Sequence, residues 1–114
     1  MMCCENMPVV VECKSEGDTS TFFGLVQALT YASDLLLGNQ YQRLLDEIKW
    51  KGKFSSENKK VAIMILIENA ESDKTIEGTL KLIPDIVKTC KNHIAWIKIV
   101  QGVFEGETLK LIEL

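Results

Sequence analysis

No stretch of this sequence approaches the roughly 18–20 consecutive apolar residues that a membrane-spanning helix needs. The longest apolar run, Val61–Ile67, has the length of a strand. The opening residues, MMCCENMP, carry neither a basic region nor an apolar core, so a secretory signal is not supported. The four cysteines (Cys3, Cys4, Cys13 and Cys90) show no C-x-x-C and no paired spacing. That argues against a disulfide framework, a zinc knuckle or an iron–sulfur cluster, and it fits a reducing, cytoplasmic setting. Positive charge is also in short supply: 13 Lys and Arg face 16 Asp and Glu, for a net charge of −3. A chain with that balance does not coat nucleic acid nonspecifically. The single histidine, His93, follows Lys88, Lys91 and Asn92, and reads as a cap at a helix C-terminus rather than a general base.

What is present fits one domain over 1–114, long enough for a single core and too short for two. Residues 1–7 read as a flexible lead-in. Val9–Cys13 is β-branched and apolar on both faces, as in a strand covered on both sides. Ser15–Thr21 is a polar turn in which Thr19, Ser20 and Thr21 all offer helix N-caps. From Phe22 the period becomes helical, with Phe22, Val26 beside Leu25, Leu29, Ala32 and Leu36 as the expected apolar stripe. Gly38-Asn39 is the expected stop. A second short helix is expected over about Gln40–Lys49, followed by a loop over Gly52–Asn58. Val61–Ile67 then supplies a buried strand, parallel to the first across a helical crossover. After a polar turn over Glu68–Lys74, Ile76, Leu80, Ile83, Val87, Cys90 and Ile94 mark an amphipathic helix, which Pro84 should kink or split. Ile94–Phe104, a Glu105-Gly106 turn and Thr108–Leu114 read as a closing hairpin. The order β-α-α-β-α-β-β predicts a three-layer α/β/α arrangement with a mixed sheet, parallel at its start and antiparallel at its end.

The chemistry gathers in Pro8–Tyr31, PVVVECKSEGDTSTFFGLVQALTY. Strand side chains repeat every second residue, so Glu12 and Lys14 share a face at the strand end. Gln27 and Tyr31, four apart, share a helix face. A carboxylate and a lysine so placed suit metal-assisted phosphodiester cleavage. The carboxylate and a neighbouring backbone carbonyl offer hard oxygen ligands, and the lysine stabilises charge at the reacting phosphate. E-x-K alone is a weak signal, and the plain reading of the pair is an exposed strand-end contact worth little energy. Tyr31 alone reads as a core-edge residue with its hydroxyl at the boundary. E-x-K closing an apolar strand, then a turn, then Q-x-x-x-Y on the next helix is far more specific. In that arrangement the chain resembles the PD-(D/E)xK nuclease superfamily, in its branch with a Q-x-x-x-Y helix.

The resemblance implies a restriction-endonuclease-like core, here without its first elements, acting on DNA with Mg²⁺ or Mn²⁺. It makes Glu12 a metal ligand, the Cys13 carbonyl another, and Lys14 the catalytic lysine. Gln27 and Tyr31 become the helix residues that line the site and hold DNA. The family's first acidic ligand lies on a strand before the E-x-K strand. Only eleven residues precede Glu12 here, and they read as too few for a helix and a strand that doubles back. Glu5, the one acid among them, would lie about 20 Å from Glu12 along a straight strand. Glu68 is the best substitute ligand, because it follows the strand set parallel to Val9–Cys13 and ligands gather at such ends. Lys49, Lys51 and Lys53 offer a phosphate-binding patch, against the plainer reading of a solvated loop. The bare edge of Val9–Cys13 calls for a second copy of the chain, as a homodimer, or for an upstream segment that completes the sheet. Two functions follow. One is a metal-dependent deoxyribonuclease, completed by another chain or cut down from a longer protein. The other is a non-catalytic structural module of the same core that binds nucleic acid or protein.

Overall fold

The computed structural model describes the backbone of residues 2–4, and residues 7–14, 20–37, 43, 60–68 and 74–114. The elements are β1 (Met2–Cys4), β2 (Met7–Lys14), α1 (Thr21–Leu36), β3 (Val61–Ile67), α2 (Ile76–Thr89), β4 (Ile94–Glu105) and β5 (Thr108–Glu113). They include one five-stranded sheet in the order β1-β2-β3-β4-β5. β2 and β4 flank β3 in parallel, whereas β1 and β5 run antiparallel to β2 and β4 at the two edges. The chain is thus α/β with a mixed sheet, as its order predicts. Apart from Arg43, the expected helix over Gln40–Lys49, the loop over Gly52–Asn58 and the stop at Gly38-Asn39 lie outside the described residues.

β3 takes the centre because all seven of its residues, VAIMILI, are apolar. A strand with a neighbour on each side favours such an apolar run, although Met64 and Leu66, on the face away from the helices, are only half-buried. Ile63 and Ile65 join Leu25, Ala28, Ala32 and Leu35 of α1 and Ile97 and Ile99 of β4 in one core. Ile76, Leu80, Ile83, Ile86 and Val87 of α2 pack against the same cluster. Both helices therefore lie on one face of the sheet, where right-handed crossovers from β2 to β3 and from β3 to β4 put them. A register shift between Val61 and Ile63 against β4 lets both Ile94 and Ile97 turn to that face. The described helices and the sheet make two layers, and the third layer of the expected arrangement is not seen among the described residues.

Three expectations are corrected. The stretch before Pro8 is not only a lead-in. Met2–Cys4 doubles back as a strand, with Met2 opposite Val9 and Cys4 opposite Met7. Three residues suffice for this because an antiparallel neighbour needs only a tight connection. The β2 edge is thereby covered over Met7–Val9 from within the chain. Second, α1 buries Thr21, Gly24, Leu25, Ala28, Ala32 and Leu35, while Phe22 and Val26 of the predicted stripe are exposed. Apolar residues ring much of this helix, and the small side chains of Gly24, Ala28 and Ala32, spaced by four, let it approach the sheet closely. Third, Pro84 does not split α2, which runs as one helix from Ile76 to Thr89. Pro84 is exposed, and Leu80, Ile83 and Val87 on either side of it remain packed on the core.

Hydrogen bonds fix where the helices start. Ser20, one of the three predicted caps, accepts from Phe23 N–H at 3.1 Å through its Oγ. Phe22 N–H donates to Thr75 Oγ1 at 3.3 Å, which ties the start of α1 to the start of α2. Buried Thr79 is satisfied by donating to the Thr75 carbonyl at 2.7 Å. At the other end of the chain, Glu105 pairs with Thr108 across a two-residue connection whose first member, Gly106, has φ +66°. Glycine is favoured there because a side chain strains that backbone. No helix among the described residues is long and apolar enough to cross a membrane.

Candidate functional site

Lys14 closes β2, where Val10, Glu12 and Lys14 alternate onto the face that α1 covers. Its half-buried side chain runs beside Gly24. A Cβ added to Gly24 would meet Lys14 Cε at 3.1 Å and Ile65 Cγ2 at 3.4 Å. The bare glycine is therefore a slot for the lysine stem, which lies along apolar surface while its charged head reaches outward. About one helical turn past that slot, Lys14 Nζ donates to Gln27 Oε1 at 2.9 Å. The two halves of the motif, thirteen residues apart in the chain, thus touch. Tyr31 follows one turn later on the same helix and is 53% exposed, open to a ligand.

The parallel pair β2–β3 ends beside this contact. Glu68 donates its backbone N–H to the Lys14 carbonyl at 3.1 Å, which carries the ladder one residue past Ile67. Successive peptide groups along a strand point to opposite sides, so a Lys14 carbonyl facing β3 turns the Cys13 carbonyl to the outer edge of β2. β1 pairs with that edge over Met7–Val9. From Val10 onward no described residue pairs with it. The Cys13 carbonyl thus points to the part of that edge which no described residue pairs.

The acids are not gathered. Glu12 is opposite Ile65, and Glu68 comes three residues after Ile65, about 10 Å along the strand. Among the described residues no group of three or more His, Cys, Asp or Glu comes together. One carboxylate and one carbonyl are too few for a resident Mg²⁺ or Mn²⁺, which favours several hard, anionic oxygens in near-octahedral array. The described residues do not fit the ion without a second carboxylate. Lys49, Lys51 and Lys53 lie outside the described residues.

Sequence reasoning missed two contributors. Gly24 was legible in principle, because a glycine inside a helix costs about 1 kcal/mol against alanine and so asks for a packing reason. The other is the hairpin. On the face away from the helices, a groove of about 280 Å³ runs between Cys13, Lys14, Leu66, Glu68, Phe104 and Leu109. No local signal announces that pairing, because it depends on how far β4 and β5 extend past the ends of β2 and β3. A second cavity, of about 370 Å³, lies between the C-terminal ends of the helices and includes Leu36, Cys90 and His93. There His93 N–H donates to the Cys90 carbonyl just past α2, close to its expected place at a helix end.

No protein family, curated protein or solved structure matches this chain.

Proposed function

We propose that this chain is a nuclease-like domain of the PD-(D/E)xK type that engages DNA phosphodiesters through Lys14 and Gln27, with metal-dependent hydrolysis as its ancestral reaction. The observation that carries the reading is the 2.9 Å hydrogen bond from Lys14 Nζ to Gln27 Oε1 at the carboxyl end of a parallel strand pair. It joins the E-x-K and Q-x-x-x-Y motifs in space, and the strand–helix–strand setting around it is the one this superfamily uses. Within the site, Lys14 supplies the cation for a phosphate oxygen. Gln27, accepting from Lys14 through Oε1, keeps its amide N–H groups to donate to the same group. Tyr31 extends that donor row along α1. Among the described residues no group of three or more His, Cys, Asp or Glu comes together, and Glu12 with the Cys13 carbonyl is too small a donor set to hold the ion. That same shortage favours the second reading, a module of this core that binds nucleic acid or protein without cutting it.

Supercoiled and linear DNA, incubated with Mg²⁺ or Mn²⁺ and wild type, Lys14→Ala or Glu12→Ala protein, separates the readings. Cleavage lost in both variants supports a nuclease. Binding without cleavage, weakened in Lys14→Ala, supports the second reading. Equal cleavage by all three proteins identifies a contaminant, and absence of both binding and cleavage overturns the proposal.

A further inference from the structure

α1 buries its sheet side and leaves three aromatic rings largely in water. Phe22, Phe23 and Tyr31 are 43%, 63% and 53% exposed. Phe22 belongs to the side that meets α2, where its N–H donates to Thr75 Oγ1. The other two stand in a row with Gln27. Phe23, Gln27 and Tyr31 follow one another at four-residue steps, so their side chains succeed each other along the exposed surface of the helix. The two rings start about 12 Å apart along the helix axis. Midway between them is the amide that accepts from Lys14 Nζ in an exposed contact. A single apolar side chain in water is ordinary. Two rings on either side of an exposed cation and amide are not.

We infer that Phe23 and Tyr31 are stacking platforms for unpaired bases on either side of a phosphate held by Lys14 Nζ and the Gln27 amide. This deepens the proposed function and rests on it, since the Lys14–Gln27 contact is taken as the phosphate site. Rings flanking a cation match a chain in which flat bases alternate with phosphates. In a duplex the bases are stacked on one another and face inward, so rings beside the phosphates find no partner. The bases of a single strand are free to leave their neighbours and lie on aromatic side chains. Such stacking accepts every base, so this surface selects for strandedness rather than for sequence. A single lysine, in a chain of net charge −3, does not hold a strand by charge alone, and the rings supply the rest. Asp34, exposed and three residues past Tyr31, sets one end of the track, because its carboxylate repels the next phosphate along α1.

Fluorescence anisotropy of a short labelled oligonucleotide, as a single strand and as a duplex, tests it at low salt and without divalent metal. Wild type binds the single strand more tightly than the duplex. Phe23→Ala weakens single-strand binding by about 5- to 150-fold, the range for one stacked base, and leaves duplex binding unchanged. Phe23→Trp keeps or tightens the single-strand affinity. Phe23→Leu, apolar but without a ring, weakens it as alanine does. Phe23 is 63% exposed, so these variants keep the wild-type circular-dichroism spectrum. Lys14→Ala weakens binding of both forms, which tests the phosphate site separately. A wild type that binds duplex as tightly as single strand, or single-strand binding intact in Phe23→Ala or Phe23→Leu, overturns the inference. Binding that still depends on Lys14 in those cases leaves the proposed function standing, whereas no binding of either form overturns both.

Discussion

β3 reads Val-Ala-Ile-Met-Ile-Leu-Ile and β5 reads Thr-Leu-Lys-Leu-Ile-Glu. Val61, Ala62, Ile63 and Ile65 have no exposed surface, whereas Leu109, Leu111 and Ile112 keep 49%, 50% and 41% of theirs. Hydrophobicity alone does not separate the two strands; position in the sheet does. β3 has a parallel neighbour on each side and both helices over one face, so its apolar atoms leave water within the chain. β5 is reached by β4 alone, beyond the span of α1 and α2.

The widest gap between the two strands should appear on truncation. Ile65→Ala removes buried methylene groups from the middle of the core and should lower stability by about 2–5 kcal/mol. Leu109→Ala, at a half-exposed position, should cost under about 1 kcal/mol. Urea unfolding followed by circular dichroism measures both, and equal losses would show β5 to be part of the folding core. Between these extremes stands the turn that launches β5. Gly106→Ala forces a side chain into φ +66°, for a loss of about 1–2 kcal/mol. A smaller loss in the same urea titration would mean that the hairpin yields independently of the rest of the sheet.

The sequence was most legible where polarity and period agree. The α2 stripe of Ile76, Leu80, Ile83, Val87 and Cys90 packs as predicted, because polar residues such as Glu77, Lys81 and Lys88 mark the other side of that helix, but Ile94, read as its last member, opens β4 instead. The Glu105-Gly106 turn was legible from its glycine, and Val61–Ile67 from its unbroken apolar run. α1 was misread for the opposite reason. Phe22, Phe23, Leu25, Val26, Ala28, Leu29, Ala32, Leu35 and Leu36 leave little polar contrast, and side-chain size, not hydrophobicity, decides which face meets the sheet. β1 was missed because three residues carry too little pattern to announce a strand. In the site, the Lys14–Gln27 contact was legible because period-two and period-four spacing put each partner on a known face. The hairpin's approach to Cys13 and Leu66 depends on long-range register, which no local motif encodes.

The smallest change in stability should come from Gly24→Ala, and it tests the site rather than the core. Alanine gains up to about 1 kcal/mol of helix propensity over glycine. Against that gain, its Cβ would sit 3.1 Å from Lys14 Cε and 3.4 Å from Ile65 Cγ2. Ile65 is fixed in the core, while the lysine stem is a flexible side chain that can swing outward, so the unfolding midpoint should move little. Lys14 should move instead, giving up its 2.9 Å hydrogen bond to Gln27. Acylation of Lys14, followed by mass spectrometry of its peptide, should then be faster in Gly24→Ala than in wild type, as it should be in Gln27→Leu. Unchanged labelling of Lys14 in Gly24→Ala, with the fold intact, would show that the slot does not position the lysine. The close approach of α1 to the sheet would then serve packing alone.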